Sequence, residues 1–141
     1  MAERTCLHAT CVAFEGKGAL ILGASGSGKS SLALQLLALG CDLVSDDQTE
    51  VVRQGEVLWA SAPDPIKGLI EARGVGLLRA RADDAPVALA IDLDQPERDR
   101  LPQFHSVTLL GLQRPCLHNA NSQAWPSAIV QCLKQGRHKP E

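Results

Sequence analysis

Gly23-Ala24-Ser25-Gly26-Ser27-Gly28-Lys29-Ser30 matches G-x-x-x-x-G-K-[ST] in full. Such a loop wraps with its N–H groups facing inward, and together with a helix N-terminus it makes a nest for phosphate. In this pattern Lys29 reaches the β/γ-phosphates of a nucleotide and the Ser30 hydroxyl holds Mg²⁺. The flanks agree. Ala19 to Leu22 is a short apolar strand before the loop, and Lys29 to Leu39 reads as a helix after it. Leu32, Leu36 and Leu39 recur at i, i+4, i+7 on one face of that helix, and Gly40 ends it.

Upstream, Thr5 to Phe14 is strand-like and Glu15-Gly16-Lys17-Gly18 signals a turn, which predicts a hairpin from Cys6 to Leu22. His8 is placed on a strand beside the loop strand. Downstream, Asp42 to Ser45 reads as a strand ending in Asp46-Asp47. Glu50 to Val52 and Glu56 to Trp59 read as strands joined around Gln54-Gly55. Leu69 to Arg73 leads into Gly74-Val75-Gly76. Val87 to Leu93 is the strongest strand pattern, apolar enough for burial on both faces. Gln95 to Gln103 is a polar loop, Val107 to Leu112 another strand, Pro126 to Lys134 a closing helix, and Arg137 to Glu141 a polar end. Strands outnumber helices, so the expected fold is α/β with a mixed sheet.

The chain's 141 residues, 45% hydrophobic and 21% charged, make one domain (1–141) with a real core and exclude a disordered or fibrous chain. The net charge of −2 and four aromatic residues argue against nucleic acid. No apolar run reaches a membrane-spanning length, and no leader is read at the N-terminus. Cys6, Cys11, Cys41, Cys116 and Cys132 are odd in number and lack metal spacing, which fits reduced thiols in a cytoplasmic protein.

Asp46 and Asp47 follow a strand one helix after the loop, where a carboxylate can bind Mg²⁺ or accept a proton from an attacking hydroxyl. Asp92 and Asp94, ending the strongest strand, compete for that role. Taken alone, Glu71, Arg100 and Arg114 read first as solvated surface residues, and His8 as a packed or surface one. His105, His118 and His138 are scattered and show no metal spacing.

Together these residues resemble the HPr kinase/phosphorylase family, specifically its C-terminal catalytic domain. The likeness lies in Leu7-His8-Ala9-Thr10, Gly16-Lys17-Gly18, the phosphate loop, Leu43-Val44-Ser45-Asp46-Asp47 with Glu50-Val51, Glu71-Ala72-Arg73-Gly74-Val75-Gly76, and Asp99-Arg100-Leu101. The resemblance spans about Cys6 to Pro115 and is dense from His8 to Val51.

The resemblance implies a phosphoenolpyruvate-carboxykinase-like P-loop domain. It also implies an ATP- and Mg²⁺-dependent serine kinase that phosphorylates the phosphocarrier HPr of the phosphotransferase system, with phosphorolysis as the reverse reaction in many members. Gly23 to Ser30 would bind nucleotide, and Ser30, Glu71 and Asp46 would hold Mg²⁺. Asp47 would take the serine proton, with Lys29, His8 and Arg100 beside it. A homo-oligomer is implied, although the long helical tail of larger members is shortened here. The chain opens directly at the catalytic domain, like a short form of the family. Ser31 stands where the family has Glu, and Gln113 to Asn119 lacks the glycine and second arginine of the segment associated with phosphorolysis. A nucleotide-binding regulatory module without transfer, and a small-molecule kinase, are the competing readings.

Overall fold

The computed structural model describes residues 3–138. In chain order it comprises strands β1 (Glu3–Leu7), β2 (Thr10–Phe14) and β3 (Lys17–Leu22), helix α1 (Lys29–Ala38), and strands β4 (Asp42–Ser45), β5 (Thr49–Gln54) and β6 (Val57–Ser61). A short 3₁₀ turn, Asp64–Ile66, leads to β7 (Leu69–Ala72) and β8 (Gly76–Arg79). Then come β9 (Ala85–Pro96), β10 (His105–Leu109), β11 (Leu112–Asn119) and α2 (Trp125–Gln135).

Nine strands form one mixed sheet, in the order β1-β5-β6-β9-β3-β2-β4, with β11 also pairing β9 and β10 pairing β11. β7 and β8 make a separate hairpin. The loop strand β3 is parallel to β9 and antiparallel to β2, and β2 is antiparallel to β4. β3, β4 and β9 therefore all end at one edge of the sheet. β11 is parallel to β9 and ends there too. That shared edge collects the chemistry.

Alternation along the strands feeds two cores. Ala19 and Ile21 of β3 face the helices, packing with Leu32, Leu36, Leu43, Ile91, Ile129 and Leu133. Leu20 faces the other side, with Cys11, Val44, Val51, Leu58 and Val87. Burying a side chain such as Leu36 contributes about 1.5–3 kcal/mol.

Several expectations need correction. The strand-like run from Thr5 to Phe14 breaks at His8-Ala9: β1 joins β5, and only β2 makes the hairpin with β3. The buried Thr49 hydroxyl donates to the Ala9 carbonyl at 2.8 Å and fixes the break. His8 thus lies in an exposed link, not on a strand beside β3. Val107 to Leu112 is not one strand. Leu110 (φ 49°) and Gly111 (φ 82°) turn the chain back between β10 and β11. A two-residue turn with both φ positive matches sheet twist, but Leu-Gly lacks the usual Asn-Gly signature. Gln95 and Pro96 extend β9 rather than opening a loop, Pro96 pairing with Asn119. Ala88 in β9 is exposed, so burial on both faces is incomplete. Arg137 is not loose: its guanidinium lies over the Phe104 ring at 3.7 Å. Residues 139–141 lie outside the described part. All five cysteines are free thiols.

Candidate active site

The phosphate loop leaves β3 and enters α1 through Gly28, whose φ of 101° is a left-handed conformation natural to glycine. Gly23 has a second constraint. A Cβ there would lie 2.5 Å from Ser27 Oγ and 3.2 Å from the Leu93 Cβ. α1 has no side-chain cap and no acid in its first turn. Its uncapped N–H groups and positive dipole end are left for an anion. Ser27 Oγ is buried with no hydrogen-bond partner among the described residues, a further donor aimed into the loop. Lys29 is buried, and its Nζ donates to the Gly23 and Ala24 carbonyls at 2.8 and 3.0 Å. This ammonium rests on the loop's own oxygens, a ready replacement for which is a phosphate oxygen.

Asp46, at the end of β4, is buried and accepts three hydrogen bonds. Oδ1 takes Ser30 Oγ–H at 2.6 Å and Thr10 Oγ1–H at 3.1 Å, and Oδ2 takes the Glu71 N–H at 3.1 Å. Asp46 thereby ties α1, β2 and β7 together. Because the Ser30 proton is committed to Asp46, the Ser30 oxygen keeps its lone pairs for a cation. Glu71, whose backbone N–H meets Asp46, has an exposed side chain. Oxygen donors of this kind suit Mg²⁺.

Asp47 differs in every respect. Its backbone is left-handed (φ 67°), a conformation Asp tolerates better than most residues. Its N–H donates to Thr10 Oγ1 at 3.1 Å, so one hydroxyl braces both acids. The turn throws the Asp47 side chain outward, 65% exposed, where Oδ1 meets His8 Nε2 at 2.7 Å. The break after β1 that looked incidental in sequence thus delivers His8 to the acid. Asp47 Oδ2 takes no hydrogen bond among the described residues.

Asp94 also reaches the phosphate loop. At the end of β9 its carboxylate accepts the Ala24 N–H, at 2.9 Å for Oδ2 and 3.2 Å for Oδ1. Asp92 Oδ1 in turn accepts the Asp94 N–H at 3.0 Å. Their place at the end of the strongest strand was the available signal. Arg100 stands apart. It lies exposed on the loop between β9 and β10, lining a cavity against α2, and makes no hydrogen bond to the loop, Asp46 or Asp47. Arg114 is committed to structure, donating to the carbonyls of Val87 (3.0 Å), Gln113 (2.8 Å) and Glu56 (2.6 Å).

His105 and His118 are not scattered, contrary to the sequence reading. Their rings stack at 3.7 Å, and with Glu97 they place three ligand atoms within 4.8 Å of one another.

A mixed-sheet α/β domain with a loop of this form between a central strand and the helix that follows is a P-loop-type protein. The family described as the HPr Serine kinase C-terminal domain matches residues 1–84, and the chain belongs to that family. Named HPr kinase/phosphorylases are similar. That of Streptococcus mutans serotype c is 36% identical over 110 residues, covering 72% of this chain and 35% of the relative. That of Streptococcus uberis is 36% identical over 129 residues, covering 82% and 42%. This chain therefore spans well under half the length of these relatives. In three dimensions it resembles the Hpr(Ser) kinase/phosphatase from Coxiella burnetii, with a TM-score of 0.76 and 23% identity over 92% of this chain and 94% of the other. No helix among the described residues is long and apolar enough to cross a membrane.

Proposed function

We propose that this chain is an ATP- and Mg²⁺-dependent serine kinase whose protein substrate is HPr. The observation that carries the reading is the pairing of a phosphate loop with two adjacent carboxylates in opposite environments, one buried against Ser30 and one exposed beside His8. A nucleotide-binding module needs only the first. The names of the similar proteins support HPr as acceptor.

The nest from Gly23 to Ser30 binds the nucleotide phosphates, with Lys29 moving from its carbonyls to a phosphate oxygen. Ser30, the Asp46 carboxylate and Glu71 hold Mg²⁺, which when bound supplies positive charge against the phosphate oxygens. Asp47 accepts the proton of the incoming serine hydroxyl as its oxygen bonds to the γ-phosphorus and ADP departs. His8 positions Asp47 and offers the developing carboxylic acid a partner. Phosphoryl transfer of this kind requires placement and charge rather than a covalent enzyme intermediate. In phosphorolysis inorganic phosphate would attack the phosphorus of phosphoserine, the serine Oγ–P bond would break as Asp47 returns a proton to that oxygen, and pyrophosphate would leave. The whole lies in one domain of a cytoplasmic protein, and self-association is part of the same reading.

The test mixes the chain with purified HPr, γ-labelled ATP and Mg²⁺. Label on an HPr serine that disappears in Lys29→Ala supports the proposal. Tight ATP binding with no label on HPr overturns it in favour of a nucleotide-sensing module.

A further inference from the structure

On the far side of β9 from the Asp46-Asp47 pair, three segments converge. Glu97 follows β9, its N–H donating to the Asn119 carbonyl at 2.8 Å. His105 opens β10 opposite Cys116 of β11, so His118, two residues on, projects from the same face of the sheet. His105 Nε2 and Glu97 Oε1 are 3.0 Å apart, and the His118 ring stacks on His105 within 5° of parallel. We propose that Glu97, His105 and His118 form a binding site for a divalent transition metal of the Zn²⁺ class, separate from the Mg²⁺ site of the kinase reading.

Four observations carry this. The donor set is two imidazoles and one carboxylate, which suits Zn²⁺ and its first-row neighbours and not Mg²⁺. Glu97 Oε1 and His105 Nε2, hydrogen-bonded at 3.0 Å, need part by only a few tenths of an ångström to reach the roughly 3.4 Å between two ligands of one tetrahedral ion at about 2.1 Å. The Glu97 carboxylate is already oriented: Oε2 accepts the N–H groups of Arg98 (3.1 Å) and Asp99 (3.2 Å), leaving Oε1 for the site. Finally, the three ligands line a cavity of about 740 Å³ open enough for water or a further ligand to complete the shell.

The two rings stack face to face in parallel planes, so binding one ion requires one imidazole, that of His118, to turn about its Cβ–Cγ bond. That is a side-chain rotation, with both backbones fixed by the β9–β11 and β10–β11 ladders. The ion would clamp the loop between β9 and β10, which begins three residues after Asp94, the acid that holds the phosphate loop.

The experiment titrates the chelator-treated full chain with Co²⁺ in excess Mg²⁺ and no nucleotide, reading visible absorption. One Co²⁺ per chain is expected, displaced by Zn²⁺. His105→Ala and His118→Ala should each weaken it at least about tenfold, while Cys6→Ser leaves it unchanged. His118→Gln, which keeps a planar group on the stack, guards against misfolding, and metal-free thermal midpoints check all variants. Co²⁺ binding retained in both histidine variants, or no saturable binding at micromolar Co²⁺, overturns the site. Because no nucleotide or HPr is present, failure here leaves the kinase proposal standing.

Discussion

Asp46 and Asp47 are one bond apart in sequence and chemically divergent. Asp46 is fixed by donors from three elements, and Asp47 is turned outward by a left-handed backbone to meet His8. Replacing Asp46 strands Ser30, Thr10 and the Glu71 N–H in a buried place, and unmade bonds to a charged acceptor are costly. Asp46→Ala should therefore destabilise the fold by about 3 kcal/mol in urea unfolding, whatever it does to catalysis. A loss within experimental scatter would show that the buried carboxylate is not the tie described here. The acidic pair was legible in sequence as a candidate site, because it follows a strand near the loop. Which acid is buried was not, since that depends on Thr10, 36 residues before Asp46.

Among elements, β2 is central to the site and fully wrapped. Burial pushes the Cys11 thiol up to about 12 and, with Asp42 adding its charge, Cys41 to about 11. Unfolded thiols ionise near 9, so between pH 9 and 12 the folded chain binds more protons than the unfolded one. Stability should thus be indifferent to these thiols below pH 9 and fall as pH rises through 9 toward 12. Urea midpoints across that range check this, with Cys11→Ala expected to flatten the decline. At pH 8 exposed Cys6 should alkylate readily and Cys11 only after unfolding. Local signals exposed the elements built from contiguous pattern: the loop, α1, β4 and α2. They failed where the sheet overrode them. Thr5 to Phe14 reads as one strand because both halves suit a sheet, yet its halves join different partners. Glu97, His105 and His118 show no spacing because only the β9–β11 and β10–β11 registers bring them together.

The molecule as a whole gathers the carboxyl ends of β3, β4 and β9 at one edge, with β2 starting there between β3 and β4. Asp94 holds the Ala24 amide from one side while Asp46 holds Ser30 from the other. A cradle with one exposed acid at its rim is the arrangement that the proposed kinase requires, with nucleotide inside and a protein side chain arriving from outside. The phosphate loop and the acid pair were readable as chemistry. The bracing by Asp94 and Thr10 was not, because it arises from sheet order. The most direct measurement compares Asp47→Asn with the unaltered chain, scoring ATP affinity and label transfer to the HPr serine side by side. Asn tolerates the same left-handed backbone, so the fold should persist. The expected result is ATP affinity unchanged within about twofold and transfer lowered by at least about 100-fold. Transfer undiminished in Asp47→Asn would contradict the assignment of Asp47 as the proton acceptor.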